Sequence, residues 1–372
     1  MFGGRGSGKS TLLKAILPGD KSVLWYDLLN EELARQLLLD PMLLERQVLA
    51  QKPKWVVIDE IQKVPALLNV VQRLIENQSI LFGLTGSSAR KLKREGANLL
   101  AGRAFVNYLH PLTQRELGND FNLETILPWG SLPKTLSFTG ELERREFLKS
   151  YVSTYLKEEI KEEQVIRKLE PFIRFLEIAA QCNGQPINSS KIGRDAGVDS
   201  KAIDRYFEIL TDTLLGFFLP PFDRSVRKRQ LQRSKFYFFD LGVKRALENH
   251  LTVPLMPQTY GYGRAFEHFF ILECIRYNDY YRKDYRFSYL RTKDNLEIDL
   301  IIERPGKPLV LLEIKSSTNV DDVELSKLQP IIEKLAPCEL WIASQEKTAR
   351  QLKKGDGLVL PWMDALERLF GE

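Results

Sequence analysis

The run Gly3-Gly4-Arg5-Gly6-Ser7-Gly8-Lys9-Ser10 carries the most chemistry per residue in the chain. It fits G-x-x-x-x-G-K-[ST] in full and leads into a helix-forming stretch, Thr11-Leu12-Leu13-Lys14-Ala15-Ile16-Leu17. Glycines let backbone N–H groups converge on phosphate oxygens, and the helix that follows turns its positive end toward them. Lys9 is then the residue that reaches the β- and γ-phosphates, and the Ser10 hydroxyl is the Mg²⁺ ligand. Gly3 through Thr11 form the expected ATP cradle. A glycine turn of purely structural use would not need the Lys-Ser pair.

Further on, Trp55-Val56-Val57-Ile58-Asp59-Glu60 is an apolar strand ending in two carboxylates. In a phosphoryl-transfer site Asp59 holds the Mg²⁺ shell, and Glu60 orients and activates the attacking water. A third apolar strand, Ile80–Leu84, ends in Thr85-Gly86-Ser87-Ser88 at the same sheet edge, where ligands of open α/β sheets bind. Thr85 or Ser87 there contacts the γ-phosphate or its water, or else caps a helix.

Near the other end, the turn Arg304-Pro305-Gly306-Lys307-Pro308 separates two strand-like runs, Leu296–Glu303 and Leu309–Lys315. A hairpin centred on Gly306 sets Asp299 across from Glu313 and Glu297 across from Lys315. Facing carboxylates repel, so a positive charge is expected between them. Mg²⁺ held by Asp299 and Glu313, with Lys315 beside it, meets that need. The three residues resemble the D…E-x-K pattern of restriction-endonuclease-like nucleases, and Glu267 on the preceding helix matches that fold's additional acid. The alternative is that Lys315 simply neutralises solvent-facing acids. His268 has no partner at ligand spacing and is read as packing or surface.

Arg224, Arg227, Lys228, Arg229, Arg233 and Lys235 make the densest positive patch, with Asp223 the nearest acid. It is read as a DNA phosphate contact, as a solvated loop, or as part of a winged-helix fold used only to contact other domains.

These residues need elements to position them. The chain has 372 residues, with 44% apolar and 28% charged, the composition of a folded soluble protein large enough for several domains. Lys plus Arg exceed Asp plus Glu by 54 − 49 = 5, too little to identify a nucleic-acid binder by charge alone. Cys182, Cys274 and Cys338 lie far apart, against a disulfide framework or a cysteine-rich zinc site. No apolar run approaches a membrane span, and Met1 leads straight into the glycine cluster, so a cytoplasmic protein without membrane contact is expected.

Periodicity divides the chain into four parts. Residues 1–120 alternate strand-like and helical runs, predicting a parallel α/β sheet. Residues 121–168 read as a charged helical connector. Residues 169–250 read as a winged helix: helices near Pro171–Cys182, from Ser189 or Ser190, and at Ser200–Leu215, with Gly197 at the bend and wing strands Phe217–Phe222 and Lys235–Asp240. The third helix carries Lys201 and Arg205 but also Asp204, Glu208 and Asp212, so any DNA contact should be electrostatic and weakly sequence-specific. Residues 251–372 form a second α/β unit, expected to be restriction-endonuclease-like.

The loop, together with Val56-Val57-Ile58-Asp59-Glu60-Ile61-Gln62-Lys63-Val64-Pro65, Leu84-Thr85-Gly86-Ser87-Ser88, Leu100-Ala101-Gly102-Arg103 and Leu109-His110-Pro111-Leu112, resembles a prokaryotic AAA-type ATPase family whose members end in a domain of unknown function. The resemblance extends through Phe236-Tyr237-Phe238-Phe239-Asp240, Glu297-Ile298-Asp299-Leu300-Ile301 and Leu312-Glu313-Ile314-Lys315-Ser316-Ser317. It implies an ATP-dependent protein using ATP and Mg²⁺. It also places Arg103 where an arginine finger sits, in cis or from a neighbouring copy of a homo-oligomer; a surface ion pair is the other reading. One departure stands out: only Met1 and Phe2 precede Gly3, so the sheet is expected to lack its inner strand and the loop part of its scaffold. The expected function is ATP binding and hydrolysis, acting on or with DNA. The alternatives are an ATP-regulated, metal-dependent nuclease and an interaction protein with neither site active.

Overall fold

A computed structural model describes residues 1–77, 80–88, 100, 102–155, 169–225, 232–292, 294, 296–322, 326–353 and 357–371. Its first part is a parallel sheet of β1 (Val23–Asp27), β2 (Trp55–Asp59) and β3 (Leu81–Leu84), in that order. Helices α1 (Lys9–Ile16), α2 (Glu31–Leu39), α3 (Met42–Gln51) and α4 (Leu67–Asn77) accompany it. β2 is buried at every position but its first, as an inner parallel strand covered on both faces should be. Asn30 starts α2 by accepting from the Leu33 N–H, with Glu31 and Glu32 favourably placed at the positive helix end.

The inner-strand expectation is corrected in part. Beyond β3 the Met1-Phe2 backbone takes the next place in the sheet, Phe2 forming parallel bridges to Gly86 on one side and Tyr108 on the other. Phe2 N–H donates to Asn107 O at 2.8 Å and Leu109 N–H to Phe2 O at 2.7 Å, while Gly86 N–H donates to Met1 O at 3.2 Å. Hydrogen bonding from both sides therefore fixes the backbone that enters the loop.

A helical part follows: α5 (Gln114–Leu117), α6 (Leu123–Trp129), α7 (Pro133–Leu136) and α8 (Glu141–Ser150), the last running into a π turn at Tyr151–Tyr155. Next come α9 (Leu169–Gln181), α10 (Ser189–Ala196), α11 (Ser200–Asp212), the antiparallel pair β4 (Gly216–Leu219) and β5 (Lys235–Phe238), and α12 (Leu241–Leu247). Asn188 and Asp199 cap α10 and α11 by accepting from Lys191 and Ala202 N–H groups, and Gly197 turns the chain between them at φ 75°. Their apolar faces close on one core that includes Phe172, Phe175, Phe207, Phe236 and Phe238.

The last part begins with the long helix α13 (Tyr260–Tyr281) and continues with β6 (Arg286–Arg291), β7 (Glu297–Glu303), β8 (Leu309–Ile314), α14 (Gln329–Leu335), β9 (Cys338–Ser344), β10 (Arg350–Gln351), β11 (Gly357–Pro361) and α15 (Trp362–Phe370). The six strands form one sheet, β10-β11-β9-β8-β7-β6, antiparallel through β6, β7 and β8 and parallel from β8 to β9 and β9 to β11. One face packs residues of α13 and α15, the other residues of α14, so the strands are apolar on both faces. Among the described residues no helix is long and apolar enough to cross a membrane.

Candidate functional site

The loop from Gly3 takes its shape from its glycines. Gly6 and Gly8 stand at φ 81° and 98°, where a side chain would be strained, and a Cβ on Gly3 would meet the Leu109 carbonyl oxygen at 2.3 Å. Gly8 ends the loop and α1 begins at Lys9, bringing Gly8, Lys9, Ser10 and Thr11 to the wall of a 540 Å³ cleft. Arg5, Gly6, Glu60 and Ser87 line it too. The opposite wall comes from the helical part, through Pro133, Lys134 and Ser137, a contribution that no sequence motif signals.

Inside the cleft the buried Lys9 ammonium donates to Gly3 O at 2.9 Å and Gly4 O at 3.4 Å, and lies 3.8 Å from Glu60 Oε1. Glu60 reaches it from the end of β2 because its backbone turns into the left-handed region, φ 59°, an uncommon conformation for a non-glycine residue. Its other oxygen accepts from Gln62 Nε2, from Ser87 Oγ at 2.9 Å and from Ser87 N–H at 3.2 Å. Burial pushes the Glu60 carboxyl up, but the Lys9 charge and these bonds outweigh it and hold the group below its ordinary value. Thr85 is buried behind the pair: its hydroxyl donates to Asp59 Oδ1 and accepts from the Glu60 N–H at 3.1 Å, locking the two acids together. Neither Thr85 nor Asp59 lines the cleft. Arg103 is exposed and pairs with Glu76 at 2.9 Å, away from the cleft walls.

At the far sheet, β7 and β8 pair Leu300 with Leu312 and Ile301 with Leu311, the register that sets Asp299 opposite Glu313. Asp299 Oδ2 accepts from the Ile314 N–H at 2.8 Å, and Lys315 Nζ lies 3.1 Å from Glu313. A positive charge near Asp299 comes from an unforeseen source. Lys235, read as part of the exposed basic patch, is buried; its ammonium lies 2.5 Å from Glu297 and 3.5 Å from Glu267. Tyr237 donates to Glu267 at 2.6 Å, and the Lys235 ammonium stands 5.0 Å from the Tyr289 ring centre. Burial pulls the Lys235 ammonium down, yet Glu267, Asp299 and Glu297 together raise it above its ordinary value. Burial, then Glu313 and Glu267, raise Asp299 well above the usual carboxylate range. Among the described residues no group of three or more His, Cys, Asp or Glu is placed to hold a metal ion. Lys235 and Lys315 thus stand among the acids where a metal was expected at Asp299 and Glu313 with Glu267 and Lys315.

Of the remaining basic residues, Arg224 donates to Leu335 O at 3.2 Å and Arg233 is exposed, while Arg227, Lys228 and Arg229 lie outside the described residues. His268 is buried and neutral, its pKa pushed down to about 3 by burial, with Nε2 on Phe238 O at 2.7 Å.

Residues 1–118 match an AAA domain. Residues 120–253 match "Domain of unknown function (DUF8612)" and residues 262–364 match "Domain of unknown function (DUF4143)". The N-terminal match, with the parallel sheet and loop, supports an AAA-type, nucleotide-binding P-loop unit. Uncharacterized proteins of Mycobacterium tuberculosis and Mycobacterium bovis are each 26% identical over 316 residues, covering 83% of this chain and 68% of theirs. An uncharacterized protein of Methanocaldococcus jannaschii is 24% identical over 336 residues, covering 83% and 73%. A match to the structure of Can2 from Sulfobacillus thermosulfidooxidans in complex with cyclic tetra-adenylate covers 93% of this chain and 97% of that one, at 13% identity and a TM-score of 0.23.

Proposed function

We propose that the chain binds and hydrolyses ATP with the Gly3–Thr11 loop, Asp59 and Glu60. The observation that carries this reading is the position of Lys9, held at the wall of the cleft between the loop carbonyls and Glu60. Phosphate oxygens entering the cleft compete with Glu60 for the ammonium. Released from Lys9 but still oriented by Gln62 and Ser87, the ionised Glu60 accepts a proton from the attacking water. Ser10 and Asp59 offer hard oxygen donors of the kind Mg²⁺ takes; the ion, when bound, neutralises charge on the transferring phosphoryl group. In this reading Arg103 serves a neighbouring copy. Phosphate release is the test: Lys9→Ala should abolish tight ATP binding, whereas Glu60→Gln should keep binding and stop turnover. A Glu60→Gln chain that hydrolyses ATP like the parent removes Glu60 from this role.

The order α13-β6-β7-β8-α14-β9, with Asp299 facing Glu313 beside Lys315, favours a second reading, a restriction-endonuclease-like effector governed by the ATPase. Lys235 supplies a resident positive charge beside Glu267 and Glu297 in this reading. Similarly, α9, α10, α11 and the β4–β5 pair support a winged helix, with Arg224, Arg233 and the intervening basic run as its DNA contacts. Assaying duplex cleavage in Mg²⁺ or Mn²⁺, and duplex affinity against salt, separates these readings. A salt-independent affinity shows that the basic segment is only a solvated loop.

A further inference from the structure

We propose that a small phosphate-bearing ligand binds at the seam between the helical part and the last α/β part, in the cavity where Lys244, Arg245 and Arg264 converge beside the N-terminus of α13. The cavity measures 400 Å³ and is separate from the cleft at the loop. Its floor is apolar, with Leu127, Leu241 and Leu255, and Gln181 lines it too.

Two guanidinium groups and an ammonium line this space against one carboxylate, Glu248, and that carboxylate is already engaged by Lys244 at 2.7 Å and approached by His250 at 3.6 Å. Arg245 is more than nine-tenths buried; its Nη2 donates to the carbonyls of His250 and Val253 at 2.7 and 2.6 Å, and its Nε has no partner among the described residues. Arg264 donates to Asn183 O and, at 3.4 Å, to Tyr260 Oη, both neutral acceptors. Burial lowers the Lys244 ammonium, Glu248 pulls it back up, and Arg264 and Arg245 add smaller lowering effects; by formal charge, three cations face one carboxylate in this lining. Uncompensated charge of this kind is costly to bury, and an anion removes the cost. The 22-residue α13 adds its positive end here through Thr259, Tyr260 and Gly261.

The chemistry of the walls narrows the anion. Guanidinium forks and a helix N-terminus suit a phosphoryl group. The Tyr260 ring, stacked 5.7 Å from the Arg264 guanidinium, and the apolar floor suit a small organic remainder. A space this size admits a mononucleotide and excludes a duplex.

Thermal shift of the full chain with sodium pyrophosphate and with AMP, against sodium chloride at equal ionic strength, tests the proposal. A saturable rise in Tm is expected, retained in Lys9→Ala, where the phosphate-binding loop no longer contributes. In Arg264→Gln and in Lys244→Met, each made in the Lys9→Ala chain, the concentration needed should rise roughly tenfold or more, the loss of one charge-assisted bond. Absence of a saturable shift, its loss in Lys9→Ala, or an undiminished shift in both cavity variants overturns the site. A single-stranded oligonucleotide that stabilises the chain through Arg264 while pyrophosphate and AMP do not overturns the small-ligand assignment.

Discussion

Lys9 and Asp299 show how single ionisable groups are set by what surrounds them. Lys9 is satisfied by two carbonyls and Glu60 before any ligand arrives, so ligand binding must exchange one partner for another. Asp299 is in the opposite position: burial and two neighbouring acids raise it, while Lys235 and the Ile314 N–H favour its charged form. An acid raised in the folded state weakens folding once the pH exceeds its unfolded value, and the penalty disappears as the pH falls below it. Asp299→Asn should therefore be neutral or stabilising near pH 8, because an amide keeps an oxygen for Ile314 without the charge, and the gain should shrink toward pH 4. Urea midpoints at the two pH values decide this. A variant clearly less stable than the parent at pH 8 would mean that the ionised carboxylate itself supports the fold.

Strand β5 is the element that ties the chemistry together. Lys235 enters the acid cluster at its start, while just past its end Phe239 packs on the loop, where a Cβ on Gly4 would come within 2.9 Å of the ring. The next residue, Asp240, is buried and bonded to the Ser131 and Val243 N–H groups at 2.8 and 3.0 Å. Removing the charge in Lys235→Met leaves Glu267 and Glu297 without their buried partner, which should cost about 3–5 kcal/mol of stability. That loss should be smaller at pH 4, where the acids can take up protons, and smaller in millimolar Mg²⁺ if the vacated space then admits a cation. Equal loss at both pH values would show that Lys235 acts by packing its stem. Much of this region was legible in the sequence: the turn at Gly306 fixed which β7 and β8 residues face each other, and Gly197 marked the bend before α11. Lys235 was not, because a lysine at the end of a basic run reads as solvated, and only the fold brings it against acids from a later part of the chain. The β10–β11 pair also escaped notice, since two residues of β10 are too few to leave a period.

On the scale of the whole molecule, α13 joins all three parts through one buried ion pair. Arg276 donates to Leu112 O at 3.2 Å, to Ser131 Oγ at 3.0 Å and to Phe239 O at 3.2 Å, and pairs with Glu273 at 3.1 Å. Glu273 accepts in turn from the Gln114 N–H at 2.8 Å. Both side chains are buried, so the parts that carry the loop, the helical core and the acid cluster share one desolvated charge system. Burial raises Glu273, and Arg276 and the Gln114 N–H pull it back. Arg276→Met leaves that carboxylate without its buried cation and should cost about 3–5 kcal/mol. The cost should be larger at pH 8, where the folded chain must keep a buried charge, than at pH 5, where Glu273 can bind a proton. Adding Glu273→Met to Arg276→Met removes the stranded charge, so the double variant should recover a large part of the loss. Denaturant midpoints of the two single variants and the double at both pH values complete the cycle. If the double variant is no more stable than Arg276→Met, the carbonyls of Leu112 and Phe239, rather than Glu273, are what Arg276 is there to satisfy.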